Sequence, residues 1–238
     1  NVTGHTGEGR TAGTSFTMGN QLTFSGSGEL DNGMNVSLSF VIDQGDDTTD
    51  ANRPFDSHSV KVSSDAMGSL TLAGEGGTSA SGAIAKTAAG NLWDAFDGLG
   101  TLNGVSFATD LLTTVSAGAN ALNYVSPELA DGLTLNASYQ PQASNRESAT
   151  GYGINYTGFD GLTINYANTD FVSTTAALSG DNEVMKVSYV MGSFTGTISN
   201  LEHSTGTVAS NSESSSYAVS YSVTDELSIT YGSETHEP

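Results

Sequence analysis

GEGGTSASGAIAKTAAGNLWDAFDGLG, residues 74–100, is where the chain stops behaving like its surroundings. On both sides lie short runs in which apolar and polar residues alternate, punctuated by Asp-Gly and Met-Gly pairs. Here the alternation lapses into small residues and then into NLWDAF, which carries the single tryptophan, Trp93, beside Asp94 and Asp97. The lapse runs to about Gly118, some 40 residues, too long for an ordinary hairpin connection; loops of that length are usually functional or disordered. NLWDAF can form about one and a half helical turns, with Leu92 and Phe96 on one side as packing anchors and Trp93 and Asp97 on the next.

Working outward, the flanks read as β-strands. Upstream, Phe16, Met18, Leu22 and Phe24 occupy even positions against Thr17, Gln21, Thr23 and Ser25, the period-2 signature of a half-buried strand. Asp31-Asn32-Gly33 is a tight-turn signal, because Asn and Gly tolerate positive φ. Met34, Val36, Leu38, Phe40 and Ile42 then resume the alternation. An acidic loop, DQGDDTTDANRP, leads to Val60 and Val62, then to Ala66-Met67-Gly68 and Leu70 and Leu72. Downstream, the same unit recurs around Gly132, Gly161, Gly192 and Thr224-Asp225-Glu226, which predicts 12 strands in six hairpins. Residues 1–14 are a Gly/Thr-rich lead-in without a usable pattern. The turn glycines recur about every 30 residues, except across the insertion. We therefore expect a single β domain over residues 1–238, with an insertion at 75–118.

Composition narrows the class. Charged residues are 13% of the chain, against about 25% in soluble domains, yet hydrophobic residues are only 36%. The remainder is dominated by Gly, Ser, Thr and Asn, which suits a wall with lipid on one face and water on the other. An exported Ser/Thr-rich sandwich or solenoid has similar composition. It has no reason, however, to sort tight turns to one end and long loops to the other, as a membrane barrel does. Strands of about eight to ten residues suffice to cross a bilayer when tilted. The expectation is an all-β, antiparallel up-and-down transmembrane β-barrel whose long insertion folds into the lumen.

Charge parity supports this. Glu29, Lys61 and Lys186 oppose the apolar set of their strands. A Lys on the lipid face at mid-depth would cost about 2–4 kcal/mol, so these three are expected to face the lumen. Phe16, Leu22, Phe24, Val36, Leu38 and Phe40 are then expected to face lipid. Most acids fall in loops. Tyr139, Tyr152, Tyr166 and Tyr231 near the long loops, with Phe159 and Phe194 near the short turns, suggest two interfacial girdles.

Other functions find little support. A net charge of −20, with only Arg10, Arg53, Lys61, Lys86, Arg146 and Lys186 basic, argues against nucleic acid. There is no Cys, and no window of 18 apolar residues. His5, His58, His203 and His236 lack metal-ligand spacing, GEGGTSASG lacks the GK[ST] of a phosphate loop, and no nucleophile elbow occurs. An enzyme is not expected. Asp43, Asp46, Asp47 and Asp50 could offer oxygen ligands to calcium, but without EF-hand spacing a solvated acidic loop is the favoured reading, and no cofactor is expected. A calcium-binding β-roll adhesin would need GGxGxD nonapeptides, and none occur.

QLTFSGSGELDNGMNVSLSFVID, VKVSSDAMGSLTLAGEGG and ALNYVSPELADGLTLNASYQ resemble the general diffusion porins of Gram-negative outer membranes, especially the α-proteobacterial type. The resemblance runs from about Phe16 to Tyr231 and rests on the order strand, DNG turn, strand, acidic loop, strand, AMG turn, long insertion. It implies an outer-membrane homotrimer passing ions and small hydrophilic solutes by passive diffusion. It also implies that the insertion is the constriction loop, with Asp94, Asp97 and Glu75 as its acids. Members often oppose that loop with several Arg; here Lys61, Lys186 and Glu29 are the charges of lumen parity. Mapped on, the 12 strands correspond to the second through thirteenth of about sixteen, so a fragment lacking the first and last strands is expected. The alternative is an exported structural or adhesive β-protein without a channel.

Overall fold

Five glycines fix the turns on which the strands are hung. The computed structural model describes residues 2–5, 13–16, 21–42, 55–75, 77–84, 87–89, 120–141, 148–176, 179–207, 211–224 and 226–237. Gly33, Gly68, Gly132, Gly161 and Gly192, the turn markers of the sequence, all adopt φ between +60° and +79°. At Gly132 a Cβ would land on the backbone of Gly158, so this turn needs glycine for space as well as for φ. Its carbonyl also accepts from the Thr157 amide at 2.8 Å, tying the turn to the next hairpin.

Twelve strands form one antiparallel sheet in which each pairs with its neighbours in sequence. They are β3 (Leu22–Glu29), β4 (Asn35–Ile42), β5 (Phe55–Ser64), β6 (Gly68–Glu75), β7 (Ala121–Val125), β8 (Leu133–Gln140), β9 (Ser148–Tyr156), β10 (Leu162–Val172), β11 (Gly180–Met191), β12 (Phe194–Thr205), β13 (Ser212–Thr224) and β14 (Leu227–Glu237). β3 and β14 are its edges. At one end the strands are joined by connections of two to seven residues, at 30–34, 65–67, 126–132, 157–161, 192–193 and 225–226. From the other end leave connections of six to 45 residues, at 43–54, 76–120, 141–147, 173–179 and 206–211. The predicted twelve strands are found, and the sorting of short from long connections holds except at 126–132, which is as long as two of the opposite set.

The amino-terminal expectation fails. Residues 1–14 are not featureless: β1 (Val2–His5) and β2 (Gly13–Phe16) pair with each other in a separate two-stranded sheet. Phe16 therefore ends β2 instead of opening the first strand of the main sheet, which begins at Leu22. Four-residue strands are too short to display alternation, and main-chain pairing does not require it. Met18 and the predicted NLWDAF helix lie outside the described residues.

Register divides the sheet into two faces. Leu70, Tyr124, Ala137 and Tyr152 stand opposite one another on successive strands, on an outer face. One residue away, Thr71, Asn123, Ser138, Gly151, Thr169, Asn182 and His203 form a continuous inner row. Leu22, Phe24, Val36, Leu38 and Phe40 share the outer face, as predicted, and Leu22, Phe24 and Leu38 are exposed there. So are the girdle candidates Tyr139, Tyr152, Tyr231, Phe159 and Phe194.

The charge pattern holds less well. Glu183, Glu202, Glu213 and Glu237 stand directly opposite one another on β11–β14, with outer-face parity. They sit toward the long-loop ends of long strands, beyond the aliphatic stretch. Glu183 accepts from the Tyr166 hydroxyl at 3.0 Å, and Glu213 from the Asn200 amide at 2.9 Å. Neutral donors thus offset part of the like-charge repulsion that cross-strand carboxylates incur.

Candidate functional site

The first part of the insertion lies on the inner face. Its entry is closed by the Asn120 amide donating to the Gly74 carbonyl at 3.2 Å, with Gly77 against Ala73 and Ala121. Ser79 caps a single 3-10 turn, Gly82–Ile84: its side chain accepts from Gly82 N at 3.0 Å and its carbonyl from Ala83 N at 3.0 Å. Such local side-chain bonds let Ser initiate turns where the strand pattern fails.

From there the segment is fastened to the sheet at successive points. Ala80 N donates to Ser138 Oγ of β8 at 2.9 Å. Ser81 donates to Thr169 Oγ1 of β10 twice, from its amide at 3.2 Å and its hydroxyl at 2.8 Å. Ile84 packs on Val184 of β11 and Leu201 of β12, both buried. Thr87 donates to Glu234 of β14 at 2.8 Å. Ala88 N is shared between Ser199 of β12 and Ser216 of β13, 2.8 Å from each, and those two hydroxyls bond each other at 2.7 Å. Residues 77–84 and 87–89 therefore cross the inner face from β8 to β14.

Beside the crossing lies a polar cluster. His203 Nδ1 is 2.6 Å from Asn182 Oδ1, and the imidazole stacks on Phe171 with ring centres 5.5 Å apart. All three are buried at inner parity.

The predicted site residues are distributed, not gathered. Lys61 has inner parity and lies in an open depression of about 520 Å³ lined by Ser25, Ser37, Ser39, Ser59 and Thr71. Lys186 has inner parity between Asn165 and Ser199. Glu29 ends β3 opposite Asn35, on the same face. Strands β6 to β10 separate Lys61 from Lys186, so the two amines do not form one cluster. Glu75 ends β6. Asp94, Asp97 and Trp93 lie outside the described residues, as do Asp43, Asp46, Asp47 and Asp50. Among the described residues, no group of three or more His, Asp or Glu is arranged to hold a metal ion. Sequence reasoning missed Ser138, Thr169, Ser199, Ser216 and Glu234, the groups that fasten the segment.

The sequence pattern of the Gram-negative porin family matches residues 1–236. Among solved structures, the fold is similar to that of a loop-L8 deletion mutant of OmpT, an outer membrane protein of Vibrio cholerae. That pair has 14% identity and a TM-score of 0.59, covering 94% of this chain and 75% of that one. It is also similar to the anion-selective porin from Comamonas acidovorans, at 17% identity and a TM-score of 0.56, over 92% and 70% of the two chains. In-vitro folded V. cholerae OmpT in its trimer form gives 16% identity and a TM-score of 0.51, over 91% and 75%. No curated protein matches the chain. The adhesive alternative falls with the family match. With one apolar and one polar face on a twelve-stranded meander, the chain belongs to the Gram-negative porin family, an outer-membrane β-barrel class that provides a channel for passive diffusion.

Proposed function

We propose that this porin passes ions and small hydrophilic solutes, prefers cations, and is narrowed by the insertion at residues 75–118. The supporting observation is the seating of residues 77–84 and 87–89 across the inner face, from Ser138 on β8 to Glu234 on β14. On this reading Asp94 and Asp97 form the acidic side of the constriction. Acids outnumber bases 26 to 6, and a field of one sign concentrates counter-ions at a mouth. The Comamonas neighbour is called anion-selective, but at 17% identity the likeness concerns the fold alone.

Selectivity in such a channel arises from diameter and lining charge, with no bond-making step and no cofactor. The working unit is a homotrimer in the outer-membrane bilayer, by analogy with the trimer form of V. cholerae OmpT. Replacing Asp94 and Asp97 with Asn in the full-length porin tests the constriction. The cation-to-anion permeability ratio from reversal potentials should fall, with folding intact. An unchanged ratio and unchanged single-channel conductance would place the insertion outside the ion path.

A further inference from the structure

We propose that Ser138, Thr169, Ser199 and Ser216 are positioning residues: a rail of wall hydroxyls that grips the insertion by its main chain, over a seat floored by Gly151. Three of the donors at the crossing are the amides of Ala80, Ser81 and Ala88, joined by the hydroxyls of Ser81 and Thr87, and the acceptors are side chains of the sheet. Main-chain amides are present whatever the loop sequence, so the path of the insertion is encoded in the wall.

These hydroxyls are buried, as are Asn182, His203 and Ser214 on the same face. Thr169 is fully buried, and Ser138, Ser199 and Ser216 are 6–8% exposed. Ser188 and Thr197, at inner parity on β11 and β12, bond each other at 3.0 Å and remain half-buried. Gly151 lies between Ser138 and Thr169 in the register. A Cβ there would come within 2.6 Å of both hydroxyl oxygens and 3.0 Å of the Ala80 Cβ. A glycine inside a strand marks close approach of another backbone, and here that backbone is the insertion. Between the two hydroxyl clasps, Val184 and Leu201 interrupt the polar face with an apolar pair, and Ile84 covers it. Two buried apolar residues on a water-facing surface are favourable only beneath a lid. Hydroxyl clasp, apolar key and second hydroxyl clasp thus follow in chain order along one path.

The role of the rail in conduction rests on the insertion being the constriction; its role in seating the segment does not. The probe is Ser81→Cys in the full-length porin. Residue 81 is fully buried, and the chain has no other thiol. A water-soluble maleimide reacts only when the segment lifts, and labelling rate in membranes is read by mass. Losing an acceptor leaves a buried amide unpaired, so Thr169→Val, or Ser199→Ala with Ser216→Ala, should raise the rate about tenfold. Thr169→Ser restores the hydroxyl and should label at the parental rate. Ser188→Ala removes a hydroxyl outside the path and should do the same. Equal labelling in all five backgrounds would overturn the proposal, as would fast labelling of Ser81→Cys alone. Planar-bilayer recordings of the same variants separate the two levels. Faster labelling with noisier open-channel current supports both the rail and the constriction, whereas faster labelling with unchanged current keeps the rail and removes the constriction.

Discussion

Neutralising Lys61 should make the pore more cation-selective, by an amount that salt erases. The depression around Lys61 is about 520 Å³, a sphere of radius about 5 Å. A monovalent ion at its centre feels one unit charge at about 5 Å in water, about 0.8 kcal/mol, repelling a cation and attracting an anion. Lys61→Gln therefore shifts the cation–anion difference by about 1.7 kcal/mol before screening. With a Debye length of about 8 Å at 0.15 M, about half survives, a rise of about fourfold in the permeability ratio. At 1 M the Debye length is about 3 Å and the rise shrinks to less than about twofold. Reversal potentials across a fixed salt gradient, recorded at both mean concentrations, give the two ratios directly. No change at 0.15 M would mean that ions do not pass the depression. An equal change at both concentrations would mean that the substitution had altered the pore's shape and not its field.

Two further substitutions probe the frame. Gly132→Ala and Gly192→Ala both force an L-residue to positive φ, at about 1–2 kcal/mol. Only at 132 does the new Cβ also strike backbone, that of Gly158, whereas at 192 there is open space within 4 Å. Urea titrations read by the gel mobility of folded porin should show a small midpoint shift for Gly192→Ala and a much larger one for Gly132→Ala; equal shifts would contradict the close packing of adjacent hairpins. Ile198→Lys puts a charge on the outer face, where Ile198 is 53% exposed, and should cost about 2–4 kcal/mol, while Thr197→Lys, one residue away and inward, should fold normally. The reverse ranking would invert the face assignment for every strand.

The wall was legible because a strand's alternation is local. Val60 and Val62 against Lys61 fix which way three side chains point without any knowledge of the partner strand, and a one-residue slip would reverse them all. The turn glycines were legible for a similar reason, since positive φ is a property of one residue. The pairing of β1 with β2 was not, because Val2–His5 and Gly13–Phe16 are too short to alternate. Glu183, Glu202, Glu213 and Glu237 share the outer parity because parity says nothing about depth: at the end of a strand the outer face no longer meets hydrocarbon, and a carboxylate is tolerated there.

The fastening of the insertion was hidden at another level. Ser138 and Ser188 are the same residue type at the same parity, yet one is buried beneath Ala80 and the other pairs only with Thr197. What separates them is coverage, and coverage is decided by a segment that no alternation rule describes. The sequence did carry two signals. Val184 and Leu201 are apolar at polar parity, each set between polar residues of the same face: Asn182 and Lys186, Ser199 and His203. Gly151 leaves β9 without a side chain on that face, just where the insertion approaches at Ala80. Taken singly these are weak, since valine favours strands anywhere and glycine is abundant in this chain. Projected on one face they lie on β9, β11 and β12, along the path of the insertion, which is how a surface built to face water records that part of it is covered.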